Sequence, residues 1–152
     1  MNLGIDLGRV IVGPRIKGTE SFISRPMENS FEVISKLVKK FNNTYIVSRV
    51  NDAQRERAIK WLEDNNFYSL TGIPKENVYF CFDRRDKHIF VRGLNINVFI
   101  DDRLDCLLPM DGKVIKILFN PEEQDLDKHK DIKHDSRIVN NWLEIEKLIS
   151  RR

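Results

Sequence analysis

Cysteine is scarce in this chain. Only Cys81 and Cys106 occur among 152 residues, each in or beside an apolar stretch, which argues against a disulfide framework and suits a reducing compartment. Glycine (7) and proline (5) are too few for a low-complexity or collagen-like chain. No stretch approaches the ~20 apolar residues of a membrane span. Met1 to Val12 carries Asp6 and Arg9 where a secretory leader would be apolar, so a cytoplasmic protein without a membrane partner is expected. An excess of one charge is missing too: 26 Lys and Arg stand against 23 Asp and Glu, a net +3. That surplus mildly favours anionic ligands such as phosphates. The densest basic run, Lys36 to Lys40 around Leu37 and Val38, reads as a solvated helix face, so nucleic-acid binding has only weak support.

What is present is the material of a globular core. The chain is 41% hydrophobic and 32% charged, with nine Phe and two Trp. At this length a compact domain hides roughly two-thirds of its unfolded surface, and residues 1–152 are expected to form one domain. Asn2 to Val12 reads as a buried strand, a turn and a second apolar run. From Asn29 and Ser30, good N-caps, apolar residues Phe31, Ile34, Leu37, Val38 and Phe41 recur at helical spacing as far as Asn42-Asn43. Thr44 to Ser48 is a short strand, and Asp52 can cap a helix through Ala58, Ile59 and Leu62. Val78 to Phe82, Asn97 to Ile100 and Lys113 to Phe119 are further strands, read as covered on both faces because their apolar runs are continuous. Trp142, Ile145, Leu148 and Ile149 form a closing amphipathic helix, and residues 120–137 read as a surface excursion.

Strands alternating with helices predict an α/β fold of three layers, Rossmann-like, with a mostly parallel central sheet. Ligands of such folds sit at the carboxyl ends of the strands, which singles out Asp6 to Arg9, Ser48 and Arg49, and Asp101 and Asp102. An Asp at a strand end can be a nucleophile, or simply a turn former. Two adjacent carboxylates after Val98-Phe99-Ile100 repel unless a cation or a shared proton relieves them. Mg²⁺, which takes one or two protein carboxylates and leaves its other positions to water and phosphate, does so; a helix N-terminus decorated with acids is the competing explanation. The Ser48 hydroxyl can donate to a phosphate oxygen or cap a helix. Lys87, in Arg84-Arg85-Asp86-Lys87, is an ordinary surface lysine unless a short helix carries it back to the same edge.

The order Asp6, Ser48, Lys87, Asp101-Asp102, each at or just after a strand end, resembles the four motifs of the haloacid dehalogenase superfamily, from Asn2 to about Phe119. Arg85-Asp86-Lys87 followed by Val98 to Arg103 is similar to the corresponding segments of its 5'(3')-deoxyribonucleotidase branch. The resemblance implies a phosphatase in which Asp6 attacks phosphorus to give an aspartyl-phosphate. It also implies that Mg²⁺ is held by Asp6, the Gly8 carbonyl and Asp102 with Asp101 in support, and that Ser48 and Lys87 bind the phosphoryl group. Arg49 and Arg9 are further candidates for phosphate contacts.

Gly8 departs from the pattern, because phosphatases of that superfamily carry a second Asp there as proton donor. General acid–base assistance is worth roughly 10² to 10⁴-fold, so its loss leaves three outcomes: a slow phosphatase restricted to good leaving groups, assistance from Arg9 or a neighbouring acid, or a phosphate- or nucleotide-binding module without turnover. An α/β interaction domain with no working site is the remaining possibility. The stretch between Val12 and Asn29 has room only for a short flap. The resemblance therefore implies a capless, open site for a phosphorylated small molecule or a nucleotide, unless a second subunit of a homo-oligomer covers it.

Overall fold

The computed structural model describes residues 1–14, 17–20 and 22–151. Six strands form one parallel sheet: β1 (Asn2–Ile5), β2 (Asn43–Arg49), β3 (Val78–Cys81), β4 (Val98–Asp101), β5 (Ile115–Phe119) and β6 (Arg137–Val139), in the spatial order β3-β2-β1-β4-β5-β6. The helices are α1 (Ser30–Leu37), α2 (Asp52–Asp64), α3 (Phe67–Thr71), α4 (Lys87–Gly93), α5 (Leu104–Leu107), α6 (Glu123–Lys128) and α7 (Trp142–Ser150). This is the expected α/β architecture.

The period-2 alternation of a strand divides the core. Leu3 and Ile5 of β1, Ile46, Val98, Ile100, Ile117 and Phe119 pack on one face against α1, α2, α3 and α7, through Ile34, Leu37, Leu62, Phe67 and Trp142. On the other face Val47, Phe99 and Leu118 meet Val91 of α4 and Leu104 and Leu107 of α5. Gly4 lies on this second face because a Cβ there would sit 2.5 Å from the Phe99 ring. Burying each such Leu, Ile or Phe stabilises by about 1.5–3 kcal/mol, and both faces have a full complement.

Several local expectations need correction. The polar stretch after Phe119 is not only an excursion, since it holds α6 and runs at Arg137 into the edge strand β6, whose three residues are too short to show a period. Residues 67–71, not assigned to any element from sequence, form α3. Helix α1 stops at Leu37, and Asn29, at φ 65°, makes no side-chain cap. The cap of α2 is Asn51 rather than Asp52: its side chain accepts from Gln54 N while the Gln54 side chain accepts from Asn51 N, a reciprocal capping box. β3 is an edge strand and stops at Cys81, leaving Phe82 68% exposed. Ser48 and Arg49 belong to β2, paired with Phe80 and Cys81, and Asp101 is the last residue of β4.

The expected flap falls partly outside the described residues, which omit Arg15, Ile16 and Ser21. What is described returns to the body of the fold: Gly13 N donates to Arg25 O at 2.8 Å, Met27 N donates to Ile11 O at 2.6 Å, and Val12 bridges Pro26. Among the described residues no helix is long and apolar enough to cross a membrane.

Candidate active site

The carboxyl ends of β2, β1 and β4 open into a cleft of about 400 Å³. β1 ends at Ile5, and Asp6 N still donates to Ile100 O at 2.9 Å, so the sheet itself aims Asp6. Beyond it the amides of Ile11 and Val12 both donate to the Leu7 carbonyl at 2.9 Å, folding the second apolar run back and leaving the Gly8 carbonyl out of that network. Lys87 is the first residue of α4. The residue is 2% exposed, and its ammonium donates to Asp6 Oδ1 at 2.9 Å and Asp101 Oδ2 at 2.8 Å.

The three carboxylates have different situations. Asp101 is fully buried and outside the cleft lining, with Oδ2 taken by Lys87 and Oδ1 accepting from Arg103 N at 3.1 Å. Asp6 and Asp102 line the cleft. Oxygens of all three lie within 4.8 Å of one another. Burial, with the Asp6 charge beside it, pushes Asp101 up to about 6. Burial and the charges of Asp6 and Asp101 push Asp102 up to about 9. Burial alone would lower Lys87, but Asp101 and Asp6 hold it well above its ordinary value. Three acids against one buried ammonium leave negative charge that only protons or another cation can relieve.

Ser48, 2% exposed, and Arg49, Gly8 and Arg9 also line the cleft. Arg49 Nε donates to Phe82 O at 3.1 Å. Arg9 is not a free surface arginine: its Nε lies 3.5 Å from Asp102 Oδ2, its Nη1 pairs with Glu122, and its backbone has φ 63°, a conformation strained for a long side chain. Gly8, by contrast, is outside the left-handed region, and a Cβ built on it meets nothing within 4 Å. The absence of a side chain at position 8 therefore has no steric or backbone cause.

Sequence reasoning missed Glu122 and Asp125 in the cleft wall, where Asp125 Oδ2 accepts from Leu104 N at 2.8 Å. They follow the end of β5, so the strand-end rule, carried one strand further, points to them. Arg84 and Arg103 were missed as well. Cys81 and Cys106 are both buried thiols; burial pushes Cys106, in the cleft wall, far up, which makes it inert rather than nucleophilic.

No protein-family model and no curated protein sequence matches the chain. Solved structures do. D,D-heptose 1,7-bisphosphate phosphatase from B. bronchiseptica, complexed with magnesium and phosphate, superposes with a TM-score of 0.73 at 11% identity, covering 99% of both chains. What the two chains share is the fold, a parallel sheet with helices on both faces. A cobalt-bound deoxy-D-mannose-octulosonate 8-phosphate phosphatase from Haemophilus influenzae matches at a TM-score of 0.61 and 10% identity, over 99% of this chain and 86% of that one. A haloacid dehalogenase-like hydrolase from Burkholderia xenovorans LB400 matches at 0.61 and 12%, over 81% of this chain and 58% of that one.

Proposed function

We propose that the protein is a Mg²⁺-dependent phosphoric-ester hydrolase acting through an aspartyl-phosphate on Asp6, nucleotidase-like in the local motif around Lys87 and Asp101. The observation that carries this is the buried Asp6–Lys87–Asp101 cluster with Asp102 beside it, opening on a cleft at the strand ends. The donor set fits a hard divalent cation: carboxylate oxygens within 4.8 Å, of which Asp6 and Asp102 face the cleft. Asp6, the Gly8 carbonyl and Asp102 would hold it, with Asp101 in support, and bound there it supplies Lewis-acid stabilisation of charge on the phosphoryl oxygens. Of the similar structures, one holds magnesium and phosphate and another cobalt.

In this mechanism Lys87, bonded to Asp6 Oδ1 at 2.9 Å, orients the nucleophile and, with the Ser48 hydroxyl, donates to the phosphoryl oxygens. A carboxylate oxygen of Asp6 attacks phosphorus as the ester P–O bond breaks, and the leaving alkoxide takes its proton from water because position 8 offers no acid. Water then attacks the aspartyl-phosphate, releasing phosphate and restoring Asp6. Quenching the Mg²⁺-loaded protein during turnover of p-nitrophenyl phosphate should give a hydroxylamine-sensitive phosphate on Asp6 that is lost in Asp6→Asn. Turnover without that label would contradict the covalent route.

Gly8 also favours a second reading, a phosphate- or nucleotide-binding module that keeps the clamp without the proton donor. Its mark is nucleotide binding with no turnover of either alkyl or aryl phosphates.

A further inference from the structure

Along the carboxyl edge of the sheet the charge is ordered. Asp6, Asp101 and Asp102 occupy the middle, at the ends of β1 and β4, and Glu122 and Asp125 follow β5 on one side. On the other side, at the ends of β2 and β3, the cleft is lined by Arg49 and Arg84. These two arginines differ from their neighbours in how they are satisfied. Arg103 holds Asp105 with both prongs, at 3.2 Å each, and Arg9 holds Asp102 and Glu122. Arg84 reaches Asp105 only at 3.7 Å, on an oxygen Arg103 already occupies. Arg49 has no carboxylate at ion-pair distance among the described residues; the Phe82 carbonyl fixes its Nε, which leaves its terminal nitrogens to the cleft mouth. Asp83, an acid within electrostatic reach of Arg49, is taken by the Arg85 side chain at 2.9 Å and by Arg85 N.

Resting on the phosphatase reading above, we infer that Arg49 and Arg84 form a second anion subsite, so that the substrate is a phosphate ester with a further phosphate or carboxylate. The sheet sets the spacing. Neighbouring strands lie ~4.8 Å apart; β2 adjoins β1 and β3 is one further, so the second group sits one to two strand spacings from the phosphoryl group on Asp6. That suits a spacer of a few carbons and excludes geminal or directly linked dianions. Two guanidinium groups short of carboxylate partners match such a group well, since charge-assisted and bidentate bonds to planar or tetrahedral oxyanions are the strong ones.

The test uses phosphonates, whose C–P bond the enzyme does not cleave, so binding is read whether or not hydrolysis occurs. Calorimetry with Mg²⁺-saturated protein compares propylphosphonate with phosphonobutyrate and propane-diphosphonate, which carry a carboxylate or a second phosphonate on the same three-carbon spacer. At least one of the two probes with a second anionic group should bind about tenfold tighter than propylphosphonate, and which one it is assigns the second group. Arg84→Gln should reduce that ratio at least about threefold, whereas Arg92→Gln, which removes an equal charge from the far end of α4, should not. Binding of propylphosphonate with no gain from either second group, or equal losses of the ratio in both variants, overturns the subsite and leaves the phosphatase reading standing. Failure of every phosphonate to bind overturns both.

Discussion

At the amino edge of the sheet the loose ends are closed by neutral amides. Asn97 Oδ1 accepts from Asn2 N at 2.7 Å, Asn2 Nδ2 donates to Leu94 O and Asn95 O at 3.3 and 3.2 Å, and Asn43 Nδ2 donates to Asn2 Oδ1 at 3.2 Å. At the carboxyl edge of the same strands stand three acids and a buried ammonium. Both edges satisfy polar groups, but the amides need nothing from outside the chain. The carboxylates hold more charge than Lys87 can offset, and burying charge is costly unless it is paired. A sheet end built only for stability would resemble the first edge, and the contrast supports the proposal that the second is kept for a ligand.

The difference can be broken from the charged side. Lys87→Met removes the cluster's buried cation and leaves Asp6 and Asp101 unpaired, and breaking such a cluster costs about 3–5 kcal/mol. Urea unfolding of metal-free protein should show a loss of that size, with Mg²⁺ restoring part of it, because a ligand bound only to the folded state stabilises it. A loss no greater than that of an exposed lysine substitution would remove the basis for the charged-edge description.

The next effect is a pH slope. Asp101 and Asp102 are raised to about 6 and about 9, above the roughly 3.9 of an unfolded Asp. Between those values the folded state binds more protons than the unfolded one, so stability falls as pH rises. The contribution is fully present below about pH 4 and is lost progressively through pH 6 and on toward pH 9. Metal-free protein should therefore lose stability over this window, and saturating Mg²⁺ should flatten the slope. A curve that rises across the window would contradict the raised carboxyls.

Gly8→Asp sharpens the account of the carboxyl edge. With no positive φ and open space at its Cβ, the substitution adds a proton donor without strain. Hydrolysis of an alkyl phosphate should rise by about tenfold or more, within what proton transfer contributes, and that of an aryl phosphate by less. A folded variant with no gain on the alkyl ester would move the binding-module reading ahead.

The smallest effect belongs to the amide edge. Asn97→Ala strands the Asn2 amide and should cost about 1–2 kcal/mol, shifting the stability–pH curve vertically without changing its slope. A changed slope would mean that the two edges are electrostatically coupled.

Much of the carboxyl edge was legible in the sequence because a parallel strand buried on both faces is a continuous apolar run, and its end marks itself by the first charged residue: Ile5 to Asp6, Ile100 to Asp101. That sufficed for the α/β class and for naming Asp6, Ser48 and the Asp101-Asp102 pair, whereas Lys87 was named only through the resemblance of the ordered motifs. The structure gathers these around one cleft, with Asp101 beneath its wall. Arg9 was legible as a cation but not as the partner of Asp102 and Glu122, because that pairing depends on a left-handed backbone at a residue type that rarely adopts it. Glu122 and Asp125 were hidden by a stretch whose polarity reads as loop. β6 was hidden because three residues carry no period, and its pairing with β5 is a tertiary fact. The cap of α2 was misplaced by one residue because Asn51 and Asp52 are equally good caps by type, and only the reciprocal bonds with Gln54 decide between them.

The central claim is that the charged edge is a divalent-metal site, and Mg²⁺ calorimetry on metal-free wild type and Asp102→Asn tests it most directly. The wild type should bind one Mg²⁺ per chain, weakened by at least about tenfold, or ~1.4 kcal/mol, in the variant, with a matching loss of thermal stabilisation by the metal. Equal Mg²⁺ affinity in the two proteins, or none in either, would contradict it.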